Sequence, residues 1–180
     1  MCDAAGRASL APTRNASARQ HKSVSLENEL QEVISPRYLF GSWDVVTDGS
    51  FVKMGHIEIH SNDLGSYLGS SKRVVVLAAT LGTGVDAFLQ RLMHTDMAKA
   101  VLADKLASKL IEEYVNGVQV EIGIQGKRYS PGYGDFDIKH QKDILKMLGC
   151  EKIGLYLTDG YMLLPSKSIT AILKLEVIND

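Results

Sequence analysis

The feature that most constrains this fold is the stretch Arg73-Val74-Val75-Val76-Leu77-Ala78-Ala79-Thr80, an apolar run unbroken between Arg73 and Thr80. A strand exposed on one face alternates apolar and polar residues. A run without alternation suits a strand buried on both faces, at the centre of a sheet with cover above and below. At 180 residues the chain is of single-domain size and can bury such a core without disulfide or metal staples.

The flanking sequence supplies the cover. Ser25 reads as the N-cap of a helix running to Ile34 and stopping before Ser35-Pro36. Arg37 to Val46 is β-like, Thr47-Asp48-Gly49-Ser50 is a turn, and Phe51 to His60 reads as a second extended segment. Ser61 suits the cap of a short helix carrying Leu64, Tyr67 and Leu68. After Leu81-Gly82-Thr83-Gly84 the period becomes helical. One helix is expected from Val85 to about Met93, and another from about Asp96 to Val118. The second presents Met97, Val101, Leu102, Leu106, Leu110, Tyr114 and Val118 as its apolar face. A loop from Gly126 to Asp137 leads into a helix ending at Leu148, with Gly149 as C-cap. Ile153–Leu157 and Ile169–Val177 read as strands. Turn signals at Asp48-Gly49 and Asp159-Gly160 imply hairpins, so the expected class is α+β: one domain over 24–180, preceded by a mobile extension over 1–23. A transit peptide is the alternative reading of that extension, which is poor in acidic residues.

Bulk properties narrow the function. A formal net charge of −1 provides no overall basic field for nucleic acid or an anionic membrane. Cys2 and Cys150 are far apart and belong to no Cys/His cluster, so a disulfide framework or structural zinc is not expected. No apolar run approaches the roughly 20 residues that span a bilayer. Nor does the first stretch have the apolar core of a secretory signal. The expectation is a cytoplasmic protein.

Several motifs carry two readings. Gly82-Thr83-Gly84-Val85-Asp86-Ala87 fits G-x-G-x-x-[GA] between strand and helix, the context of a dinucleotide-binding turn. It lacks the following strand with an acidic end, so a glycine-rich turn is the simpler reading. His56, Glu58 and His60 would share one face of a strand and could ligate a metal; equally, Ile57 and Ile59 face the core while the polar trio faces water. Cys150, His94 and His140 form no nucleophile–base pattern in sequence. The most informative stretch is Arg128-Tyr129-Ser130-Pro131-Gly132-Tyr133-Gly134-Asp135. Arg128 offers a planar fork for a carboxylate, the tyrosines offer ring faces, and Pro131, Gly132 and Gly134 let backbone approach a ligand. A Gly/Pro turn with structural tyrosines accounts for the same residues.

Arg128-x-x-x-Gly132-Tyr133 resembles the R-x-x-x-G-Y motif of the S-adenosylmethionine-binding activation domain of cobalamin-dependent methionine synthase. The likeness continues through Gly134-Asp135, Gln141 to Leu148, Ile153 to Met162 and Pro165-x-x-Ser168-Ile169-Thr170-Ala171. Upstream, Ala78 to Gly82 and Ala103 to Ala107 are similar to stand-alone bacterial members. Altogether the resemblance covers about 25–178. It implies a curved domain with a twisted, mainly antiparallel sheet flanked by helices. It also implies an S-adenosylmethionine site at Arg128, Ser130, Pro131, Gly132, Tyr133 and Gly134, with Arg128 on the methionyl carboxylate and no catalytic residue or metal of its own. The implied role is an accessory one: reductive remethylation of cobalamin carried by a methionine synthase subunit or domain in trans, with a flavodoxin- or ferredoxin-type electron donor. Ser108 stands where full-length synthases tend to place an acidic residue, with Glu112 one turn on. The sequence after the last expected strand is also shorter than theirs. Those departures keep a second reading open, an interaction scaffold that has lost the ligand; a third, a nucleotide-binding oxidoreductase, rests on Gly82-Thr83-Gly84.

Overall fold

In the computed structural model, which describes residues 25–175, the apolar run forms β4 (Arg73–Thr80) at the interior of a sheet. It pairs antiparallel with β1 (Arg37–Asp48) on one side and β7 (Ser168–Lys174) on the other. Beyond β1 lie β2 (Phe51–Met54) and β3 (Ile57–His60), giving the five-stranded order β3-β2-β1-β4-β7, antiparallel at every step. The α+β class is thereby established. The extension expected over 1–23 and the last residues of the expected final strand lie outside the described residues.

Both faces of β4 are covered, as its composition requires. Val75, Leu77 and Ala79 meet α1 (25–33), α3 (Thr83–Thr95) and α4 (Met97–Glu121) in one apolar cluster. Val74 and Val76 point the other way, into a cluster with Val52, Ile59, Leu64, Phe136 and Ile144. There the cover comes from α2 (Asn62–Leu68) and α5 (His140–Leu148), while Ala78 meets Leu145, Cys150 and Leu155 alongside.

Several local signals act as expected. The Ser61 hydroxyl accepts the Leu64 N–H of α2 at 3.0 Å, and α5 ends on Gly149 in the left-handed conformation, φ 66°. Asp48 pairs with Phe51 across a two-residue turn. Ser25, by contrast, is already helical, and its hydroxyl donates to Glu29 at 3.3 Å.

Three expectations are corrected. Phe51 to His60 is two strands in a hairpin, because Gly55 takes φ 58° and turns the chain between Met54 and Ile57. Ile153–Leu157 is mostly not a strand: a 3-10 turn covers Cys150–Ile153, Gly154 is left-handed, and only Tyr156–Leu157 (β5) pairs with Leu163–Leu164 (β6), apart from the main sheet. The hairpin at Asp159-Gly160 exists but is a stub. The buried face of α4 is Ala100, Ala103, Ala107, Ile111, Val115 and Val118, whereas Met97, Val101 and Leu102 are exposed. Leu106, Leu110 and Tyr114 flank that face. Small alanines let α4 lie close to the sheet, and their i, i+3/i+4 spacing is hidden behind the larger residues beside them.

Candidate functional site

The loop between α4 and α5 meets the outer edge of β7. Tyr129 N–H donates to the Ile172 carbonyl at 3.0 Å, and Ile172 N–H donates back at 2.7 Å. One residue of extended pairing forces side-chain alternation. Tyr129 enters a stack between Tyr67 (5.2 Å between centroids) and Phe136 (6.1 Å). Burial, then the carboxylates of Asp63 and Asp135, push its hydroxyl pKa up. Its neighbours Arg128 and Ser130 turn instead to a cavity of about 490 Å³.

A second tie fixes the far end of the loop. Asp135 accepts the Ser61 hydroxyl, the Asn62 N–H at 2.8 Å and the Asp63 N–H at 3.2 Å, while its own N–H donates to Asp63 at 3.1 Å. These bonds favour the ionised form, and with the Ser61 hydroxyl contributing most they hold the Asp135 carboxyl at about 2. Gly134 permits this approach: its φ is 54°, and a Cβ there would lie 2.0 Å from Asp63 Oδ2.

Among the site residues expected from sequence, Arg128, Ser130 and Tyr133 line the cavity together. Pro131 is buried beneath the loop. Gly132 and Gly134 shape the turn and are not among the lining residues.

The opposite wall is α4. Glu112, Asn116 and Gln119 lie at i, i+4 and i+7, one stripe of the helix, and all three hold Arg128. Nη1 donates to Asn116 Oδ1 (2.8 Å) and Gln119 Oε1 (2.6 Å), and Nη2 donates to Glu112. Gln119 is fixed in turn by donating to the Gly126 carbonyl at 3.2 Å. A guanidinium has five N–H donors, so Nε–H and one Nη2 N–H remain without an acceptor among the described residues. Arg128 is largely buried and Glu112 is half-exposed. The third wall is polar: the Ser130 hydroxyl donates to the Thr170 carbonyl (2.7 Å), and the Thr170 hydroxyl donates to Gln141 (2.5 Å).

Asn116 and Gln119 escaped the sequence reading, and Gln141 and Thr170 entered it only within segments of the resemblance, with no site role. Gln119 carried a faint signal, a polar residue next to Val118 at the end of an apolar helical face. Nothing local marks the others. Ser108 lies off the cavity, where it accepts Lys167 Nζ at 3.0 Å beside the Lys167–Asp104 ion pair at 2.7 Å. The acidic side chain that α4 brings to Arg128 is therefore Glu112.

The remaining motifs take structural places. A Cβ on Gly84 would lie 2.2 Å from the Val33 carbonyl, and one on Gly82 3.1 Å from that of Ser35. These glycines let α3 start against the end of α1. Both neighbours of β4 are antiparallel, whereas a dinucleotide turn belongs to a parallel unit. Ile57 and Ile59 are buried, Glu58 and His60 exposed, and His56 sits in the turn. Among the described residues no three His, Cys, Asp or Glu side chains converge on a metal site. His140 pairs with Asp143 at 3.1 Å. Burial pushes the Cys150 thiol up to about 12, far from the range of a thiolate nucleophile. No described helix is long and apolar enough to cross a membrane.

No known family's sequence profile matches the chain, and no curated protein matches it in sequence. The fold does have a solved counterpart. A MetH reactivation domain, described as bound to AdoHcy, is similar with a TM-score of 0.61 at 18% identity, over 91% of this chain and 67% of that one. The likeness establishes the fold: a curled antiparallel sheet with helices, as in that domain.

Proposed function

We propose that this chain binds S-adenosylmethionine between α4 and the Arg128–Tyr133 loop, as an accessory module for reductive remethylation of cobalamin held by a methionine synthase subunit or domain in trans. The observation that carries the proposal is Arg128, oriented by three α4 side chains at the wall of a 490 Å³ cavity with two N–H donors unspent. That volume suits a ligand of nucleoside–amino acid size, and the shared fold belongs to a domain described with AdoHcy. Arg128 takes the carboxylate through its unspent donors, and Glu112 stands beside it as the counter-charge for the α-ammonium group. Ser130 and Tyr133 border the rest of the ligand.

Bound there, S-adenosylmethionine supplies an electrophilic methyl group, and the partner's cobalamin, served by a flavodoxin- or ferredoxin-type electron donor, supplies the nucleophile. The chain itself has only to hold the sulfonium in line, which is catalysis by positioning and needs no acid, base or metal of its own.

One observation favours a scaffold without ligand instead: the Arg128 charge is already paired with Glu112. Calorimetric titration with S-adenosylmethionine and AdoHcy, with NADH as control, separates the two. Saturable binding that falls about 30- to 100-fold in Arg128→Ala is expected, the scale of a charge-assisted carboxylate contact. Binding unchanged in that variant refutes the site, and no binding at millimolar ligand supports the scaffold.

A further inference from the structure

The third wall of the cavity holds a donor that the carboxylate site does not use. Gln141 follows the first residue of α5 and is 6% exposed, yet it lines the cavity. Its Oε1 accepts the Thr170 hydroxyl at 2.5 Å in a buried contact. That hydroxyl has no other acceptor among the described residues, so its proton goes to Gln141 and the amide is fixed one way round. The NH₂ group is then the end left without a partner among the described residues. Although the residue as a whole is more than nine-tenths buried, Nε2 is not one of the buried polar atoms that lack a partner, so it stays open to the cavity that Gln141 lines. A donor so placed is available to an acceptor that enters the cavity. Thr170 is fixed as well, since its carbonyl holds Ser130 at 2.7 Å and its strand pairs with Ala78. The donor is thus held by the sheet rather than by a mobile side chain.

Resting on the ligand proposed above, we infer that Gln141 is a binding residue for the nucleoside half of that ligand, donating from Nε2 to a ring nitrogen or ribose oxygen. The assignment to that half follows from the ligand's chemistry. At neutral pH the amino-acid end has one accepting group, its carboxylate, and Arg128 already offers that group two donors. Its ammonium group donates and its sulfur accepts poorly. Every remaining good acceptor lies in the adenosyl moiety. Thr170 is the positioning residue, acting on the ligand only through the orientation of the Gln141 amide.

Two probes test this: AdoHcy, and 5′-methylthioadenosine, which keeps the nucleoside and lacks the carboxylate. Arg128→Ala should weaken AdoHcy alone. Gln141→Met, which keeps the volume and removes the donor, should weaken both probes by about tenfold or more. Thr170→Val should weaken both by a smaller factor, because the amide is then free to turn. Wild-type affinity for both probes in Gln141→Met overturns the assignment and leaves the Arg128 site standing, as does weakening confined to AdoHcy. A wild-type protein that binds AdoHcy but not methylthioadenosine also overturns it. A wild-type protein that binds neither overturns both inferences together. If Gln141→Met does not fold, Thr170→Val decides on the same criterion.

Discussion

Replacing Gly65 and Gly117 separately by alanine sets local helix preference against tertiary contact. Both glycines lie inside helices, Gly65 in α2 and Gly117 in α4. Helix preference alone makes each change stabilising by about 0.5–1 kcal/mol. The surroundings differ. A Cβ on Gly117 meets nothing within 4 Å, whereas one on Gly65 lies 2.2 Å from the carbonyl oxygen of Gly49 in the β1–β2 turn. That falls short of ordinary contact by roughly 1 Å, and the obstacle is backbone, so α2 or the turn must move. Overpacking of this kind costs about 1–3 kcal/mol. The expected outcome is Gly117→Ala more stable than wild type by about 0.5–1 kcal/mol and Gly65→Ala less stable by about 1–2 kcal/mol. Urea denaturation with an unchanged slope measures both, and the melting midpoints should separate by roughly 4–8 °C. The consequence reaches the site, because α2 carries the amides that hold Asp135; amide exchange in the Arg128–Asp135 loop should quicken in Gly65→Ala only. Gly65→Ala as stable as Gly117→Ala would refute the packing of α2 on the hairpin.

Other changes probe the loop, the core and the site. The Asp135 carboxyl lies at about 2, below its ordinary value of 3.8, so its contribution to stability is full above pH 3.8 and is lost as pH falls through 2. Asp135→Asn should therefore be less stable than wild type at pH 7, with the gap closing between pH 4 and pH 2 in acid denaturation; a gap independent of pH contradicts the tie to α2. Cys150, buried with its thiol near 12, should resist a thiol reagent at pH 8 in the native protein and react at once in urea, as peptide mass mapping can follow. Ala103→Leu should cost about 1–3 kcal/mol by overpacking α4 against the sheet, while Leu102→Ser should stay within about 0.5 kcal/mol at its exposed position. Equal effects would restore the helix face read from sequence. Arg128→Lys should keep the charge and still lose most of the affinity for AdoHcy, because an ammonium cannot reproduce a fork held by Asn116, Gln119 and Glu112; calorimetry against Arg128→Ala measures the difference.

The sequence by itself determined what depends on neighbours along the chain. An apolar run without alternation put β4 inside the sheet, Ser61 capped α2, Gly149 ended α5, and Asp48-Gly49 turned a hairpin. The R-x-x-x-G-Y stretch also singled out a loop whose Arg128, Ser130 and Tyr133 line one cavity. Tertiary structure decided what depends on neighbours in space. Which stripe of α4 faces the sheet turned on the small size of Ala100, Ala103 and Ala107, a matter of how closely two backbones approach rather than of hydrophobicity. That Val33 occupies the space a Cβ on Gly84 would need, and Asp63 the space of one on Gly134, is likewise visible only in three dimensions. The partners of Arg128 come from residues 9 to 16 positions earlier, and Thr170 meets Gln141 across 29. A hydrogen bond has no memory of sequence separation, so such pairings exist only once the sheet has brought β7, α4 and α5 around the same cavity.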